Sequence, residues 1–176
     1  AGLGVATLSR YLGGTRRLVR VMPNTPAQVD EGVAGLFADG AVNAADKAAA
    51  EAIIGASCRL TFWLGDEAQM HAVTAVSGSG SAYVFYLMHA LQQAAQGLGF
   101  GADAARALSL QTFRGAVELA AQSGADFAAL QDAVTSKGGT TFAALETFRR
   151  RAVAEHLREG VNAAAARSVE LGRELG

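Results

Sequence analysis

Apolar positions change their spacing once along the chain. Over the first third they come in short runs bounded by turn formers: residues 17–22 and 32–38 read as strands, and 59–63 as a third. Between the second and third strands, Asn43 with Asp46 three positions on reads as the cap of an alanine-rich helix reaching to about residue 57. From Asp66 onward the spacing is helical throughout. It predicts helices over 66–76, 79–97, 103–123, 126–134, 140–149 and 153–175, punctuated by Gly97, Gly99, Gly101, Gly124, Gly138 and Gly139. Strand periodicity stops near Leu64, dividing the chain into 1–64 and 65–176. The 79–97 helix carries Tyr83, Val84, Phe85, Leu87, Met88, Leu91 and Ala95, too many apolar side chains for a helix with one wet face, so burial is expected, in part by another subunit.

Composition narrows the classes of function. The 176 residues are 51% hydrophobic and 18% charged, the balance of a soluble globular protein, and the alanines fall within the helical segments, where they let helices approach closely. A formal net charge of −1 gives no electrostatic reason for nucleic acid or an anionic membrane as partner, and the basic run Arg149-Arg150-Arg151 reads as a solvated helix end. Cys58 is the sole cysteine, which rules out an intramolecular disulfide or a thiolate zinc cluster and points to a reducing cytoplasm. His71, His89 and His156 lack metal-ligand spacing, so no metal is expected, and no apolar stretch is long enough to span a bilayer.

Candidate chemistry sits at three turns. Val134-Thr135-Ser136-Lys137-Gly138-Gly139-Thr140-Thr141 places two glycines and four hydroxyls before a helix. Glycine admits close backbone approach, and the first helical turn leaves amides unpaired, so a carboxylate or phosphate fits in front of it. The alternative is that Ser136 or Thr140 merely caps the helix. Arg20-Val21-Met22-Pro23-Asn24-Thr25-Pro26 holds both prolines of the chain and reads as a rigid loop at a strand's carboxyl end. Val76-Ser77-Gly78-Ser79-Gly80-Ser81-Ala82-Tyr83 reads as a small-residue turn between two helices.

Taken in order, these three segments resemble the signature of pyrroline-5-carboxylate reductase, with 132–145 the most specific stretch. The resemblance implies a mainly α chain: the last strands and helix of a Rossmann-type α/β domain (1–64), then an all-helical substrate-binding and dimerisation domain (65–176) similar to the carboxyl-terminal domain of 6-phosphogluconate dehydrogenase. It implies reduction of the cyclic imine 1-pyrroline-5-carboxylate to L-proline with NADPH or NADH, in a homodimer or higher homo-oligomer. Thr141 becomes the catalytic polar partner of the ring nitrogen. Gly138, Gly139, Thr140 and Thr141 hold the carboxylate, with Glu67 on the substrate side. Ala1, Asn24, Ser77 and Gly78 are the cofactor contacts that it implies.

The chain departs from the family pattern in places. Ser81 and Lys137 stand where the family usually has proline, and Ala133 lacks a polar group to reach a ribose. No Gly-x-Gly-x-x-Gly follows a strand near the start, and three strands with one helix cannot complete a doubly wound sheet. The chain therefore reads as a carboxyl-terminal portion of the enzyme, expected to be inactive alone. Two rivals stand beside this reading. A related imine or 2-hydroxyacid reductase would carry a catalytic lysine facing the nicotinamide, and only Lys47 and Lys137 are present. A non-catalytic helical dimerisation module is the other.

Overall fold

The computed structural model describes residues 2–175, and the cofactor position expected at Ala1 lies outside them. Strands β1 (Val19–Pro23), β2 (Gly32–Ala38) and β3 (Cys58–Trp63) form one sheet in the order β1-β2-β3. β1 runs antiparallel to β2, with Val19 opposite Ala38 and Pro23 opposite Ala34, while β2 and β3 are parallel. A parallel pair needs a crossover, which α2 (Ala44–Gly55) supplies.

Alternation along the strands decides what each face of the sheet does. Ala34, Leu36 and Cys58 form the buried cluster, and Val19 and Val21 of β1, Ala50 and Ile54 of α2, and Trp63 pack against it. Complete burial of a leucine side chain such as Leu36 stabilises by roughly 2–3 kcal/mol. The intervening residues of β1 serve the opposite face: Arg20 reaches Glu67, and Met22 lies against Gly78. That face is covered by α3 (Gln69–Val73) and the π-helical turn Thr74–Gly78, close enough that a methyl on Gly35 would stand 3.0 Å from Val73.

Three local readings change. The proline-rich segment is not a simple loop: β1 ends at Pro23 and a 3₁₀ helix spans Thr25–Val29, with proline in its first turn, where no amide is required. The small-residue turn at 76–83 is helical. The π-helical turn continues α3, Ser79 N–H closes it onto Thr74 O at 2.8 Å, and α4 (Gly80–Gly97) follows at once. Residues 5–11, not read as a helix from the sequence, form α1 (Val5–Tyr11). Asn43 caps α2 as expected, its side chain accepting from Asp46 N–H at 2.9 Å.

Asp46 also takes three hydrogen bonds from the Arg17 guanidinium, and these, with the arginine's charge, hold its carboxyl below the ordinary carboxylate range. A depressed folded-state value contributes stability above the unfolded value that disappears as pH falls through the folded one. Wild type is therefore expected to lose melting temperature more steeply than Asp46→Asn as pH falls below the ordinary aspartate range, as measured by thermal denaturation on the acid side.

Compactness divides the chain into two units, residues to Ala82 together with those from Arg158, and Tyr83–Leu157. The first extends beyond Leu64 because α3 and the π-helical turn cover the sheet and because the end of α8 (Val153–Leu175) packs there. Ser168, 2% exposed, sets its Oγ 2.9 Å from His71 Nδ1. Gly2, at φ +86°, approaches Gly172 so closely that a methyl on Gly172 would stand 2.7 Å from Gly2 O.

The second unit contains α5 (Ala102–Ser123), α6 (Phe127–Ala133), α7 (Thr140–Arg150) and most of α4. Gly124 ends α5 in the left-handed conformation, and the Asp126 side chain caps α6 by accepting from Ala128 N–H. The burial expected for the 79–97 helix is not found within the chain. Phe85 and Tyr86 are 64% and 75% exposed, and no residue of α4 is buried. Among the described residues no helix is long and apolar enough to cross a membrane.

Candidate functional site

The candidate residues fall in both units. In the second, the octapeptide turn leads into α7. Gly138 sits at φ +74°, where a side chain would be strained, and Gly139 N–H closes the turn onto Ser136 O at 3.0 Å. A methyl on Gly139 would collide with Ser136 Oγ. Ala143 N–H is the first helical donor, bonding to Gly139 O at 3.1 Å, so the amides of Thr140, Thr141 and Phe142 lead the helix. Among the described residues, neither Ser136 nor Thr140 nor Thr141 caps α7 through its side chain. The capping alternative is thus not what the structure adopts. Gly139 spends its own amide on the turn, which leaves it the task of admitting close approach.

In the first unit the structure brings Asn24, Ser77 and Gly78 together. Asn24 follows β1 in the same alternation as Arg20 and Met22. Its Oδ1 accepts from Val33 N–H at 2.9 Å, and its Nδ2 donates to Ser77 Oγ at 3.1 Å. Gly78 lies beneath the Met22 methyl, 2.7 Å from where a Cβ would stand, a contact that the flexible methionine end can relieve.

Glu67 is engaged with protein groups. Its Oε1 accepts from Val5 N–H at 2.6 Å and from Arg20 Nη1 at 2.9 Å. It therefore caps α1 from 62 residues away, in place of a local N-cap side chain. Arg20 is only 7% exposed against 31% for Glu67, so the pair is partly desolvated and removing one partner is costly. Sequence reasoning passed over Arg20. The signal was present as a guanidinium between Val19 and Val21, whose alternation turns it away from the apolar cluster.

Glu67→Gln keeps the shape and the Val5 acceptor but removes the charge facing Arg20. It is expected to lower stability by about 1–3 kcal/mol, measured by urea denaturation, with α1 retained. Among the described residues no cluster of His, Cys, Asp or Glu could hold a metal ion.

Comparison with known proteins bears on these two turns. The family profile described as pyrroline-5-carboxylate reductase dimerisation matches residues 67–171. A pyrroline-5-carboxylate reductase of Pseudomonas aeruginosa is 44% identical over 176 residues, covering 100% of this chain and 64% of that protein. One of Haemophilus influenzae is 39% identical over 172 residues, 97% of this chain and 63% of that protein. Among solved structures, a pyrroline-5-carboxylate reductase from Coxiella burnetii superposes with a TM-score of 0.90 at 38% identity, covering 97% of this chain and 63% of that one. A Plasmodium falciparum pyrroline carboxylate reductase with NADP bound gives a TM-score of 0.88 at 30% identity, over 97% and 68%. The chain thus spans less than two thirds of the length of the curated relatives it matches.

Proposed function

This chain belongs to the pyrroline-5-carboxylate reductase family, and from that premise we propose that it binds 1-pyrroline-5-carboxylate and takes part in its NAD(P)H-dependent reduction to L-proline. The observation that carries this reading is the set of leading amides at Thr140, Thr141 and Phe142, which no side chain of the turn occupies. The substrate carboxylate pairs with those amides, helped modestly by the helix dipole. Gly138 and Gly139 let it approach the backbone. The Thr141 hydroxyl, both donor and acceptor, meets the ring nitrogen, where the proton resides when the C=N bond becomes an amine. The family resemblance also assigns Glu67 to the substrate, and its Oε1 is already committed to Val5 and Arg20.

When bound, the nicotinamide cofactor supplies the hydride received by the imine carbon. At the Ser77–Gly78 turn it is Ser77 that fits its ring end, with a hydroxyl hydrogen that no described residue accepts, while the space a Gly78 side chain would take is filled by the Met22 methyl. Catalysis through this chain's own groups is then chiefly positioning.

We further propose the partition into an α/β tail at 1–64 and a helical domain at 65–176, of the 6-phosphogluconate dehydrogenase carboxyl-terminal type. The lone thiol of Cys58 supports a reducing, cytoplasmic setting. The apolar face of α4 exposed in one chain supports a homodimer or larger homo-oligomer.

Calorimetric titration of L-proline tests the site. Hydrogen bonds to a charged group are worth about 1.5–3 kcal/mol, so Thr141→Ala is expected to weaken binding roughly 10- to 100-fold, with partial recovery in Thr141→Ser. Equal affinity in wild type and Thr141→Ala would contradict the role given to Thr141.

A further inference from the structure

We propose that Asn24 is a positioning residue that acts through Ser77: its carboxamide fixes the π-helical turn and leaves the Ser77 hydroxyl hydrogen free to donate to a carboxamide oxygen of the bound ligand. The inference rests on the reading of Ser77 and Gly78 as the cofactor side of the site. It differs from the direct cofactor contact that the family resemblance assigns to Asn24.

The orientation of the carboxamide follows from its partners. Val33 N–H can only donate, so the atom 2.9 Å away is Oδ1, and Nδ2 faces Ser77. There Nδ2 lies 3.1 Å from Ser77 Oγ and 3.4 Å from Ser77 O, both acceptors for its hydrogens. A helical serine commonly turns its hydrogen back to the carbonyl one turn earlier, as Thr74 does by donating to Met70 O at 2.8 Å. Ser77 makes no such bond. Its oxygen is taken by Asn24 as an acceptor, and its hydrogen finds no acceptor among the described residues.

The turn itself is unusual in its hydrogen bonding. Its five-residue closure, Ser79 N–H to Thr74 O, departs from the α-helical ladder, and such π-helical turns cost helix stability unless something outside the helix supports them. Asn24 provides that support by tying the turn to the start of β2. One side chain thereby links a strand amide, a helical carbonyl and a hydroxyl.

The test uses the full chain with Asn24→Ala, Asn24→Asp, Ser77→Ala and the double variant Asn24→Ala/Ser77→Ala. Amide exchange at Ser79, read by NMR, reports the turn without any ligand, and NADPH titration followed by its fluorescence reports the donor. Loss of the carboxamide is expected to speed Ser79 exchange about 10-fold and weaken NADPH binding about 5- to 10-fold. Ser77→Ala should weaken binding similarly, and the double variant no further, because the two residues act through one bond. In Asn24→Asp the carboxylate accepts the Ser77 hydrogen and withdraws the donor, so its affinity should match that of Ser77→Ala with the fold intact by thermal melt.

Additive losses in the double variant would overturn the proposal, as would unchanged Ser79 exchange in both Asn24 variants. Failure of the unsubstituted chain to bind NADPH would reflect the lack of a Gly-x-Gly-x-x-Gly segment and would not bear on Asn24. Ser79 exchange would then decide the positioning role: faster exchange in the Asn24 variants supports it, and unchanged exchange overturns it.

Discussion

Arg20→Ala is expected to destabilise the sheet-containing unit by about 3 kcal/mol, which for a chain of this size lowers the melting temperature by roughly 6–12 °C. Arg20 is 7% exposed and donates to the Glu67 oxygen that also receives Val5 N–H. Truncation therefore removes packing on the face shared by β1 and α3, leaves a carboxylate in a partly desolvated place, and weakens the side-chain cap of α1. Water can reach Glu67, so the cost falls at the lower end of the range for breaking a buried pair. Replacing both partners, Arg20→Met with Glu67→Gln, should restore much of the loss, since the cost of a lone charge exceeds the net worth of the pair. A melting temperature for Arg20→Ala within 1–2 °C of wild type, roughly the effect of a surface substitution, would show that the pair is not integral to the fold.

Gly32→Ala is expected to be comparably damaging, for a steric reason. A methyl there would stand 2.7 Å from Cys58 Sγ, 2.8 Å from Ala27 Cβ and 2.9 Å from Ala27 Cα. The last is a backbone atom of the 3₁₀ helix and cannot rotate away, so either that helix or the start of β2 must move. Overpacking of this kind costs about 1–3 kcal/mol or more. Thiol reactivity gives a local readout, because Cys58 is buried in wild type and displacement of Gly32 or Ala27 opens it. Labelling of Cys58 should quicken at least 10-fold in Gly32→Ala, following the fall in local stability. Gly40→Ala is the control: nothing lies within 4 Å of its added methyl, and it should label and melt as wild type does.

The strands and the later helices were legible because their signals are local. The three strand segments of the sheet, the Asn43 cap and the helices α5 to α8 each follow from periodicity and from residues at their own ends. Helix α1 was not, because seven residues make a marginal helix by themselves and its cap is Glu67, 62 positions away. The π-helical turn was read as a break for a related reason. Ser77, Gly78 and Ser79 are poor helix formers, and what holds them helical is Asn24 together with the sheet beneath, a tertiary cause invisible in the segment. At the octapeptide turn the sequence left two readings open. The backbone geometry speaks to the capping reading alone: Gly139 N–H closes the turn and the hydroxyls stay out of the helix cap. The exposed apolar face of α4 was expected to be buried because the pattern records what the side chains prefer, not which molecule covers them.

In the proposed function, the leading amides of α7 receive a carboxylate beside the Thr141 hydroxyl. Amide-resolved NMR titration with L-proline tests it most directly. Saturable shifts concentrated at Thr140, Thr141 and Phe142, lost in Thr141→Ala, are the expected result. Shifts confined to other elements, or saturable binding that leaves those three amides unmoved, would contradict it.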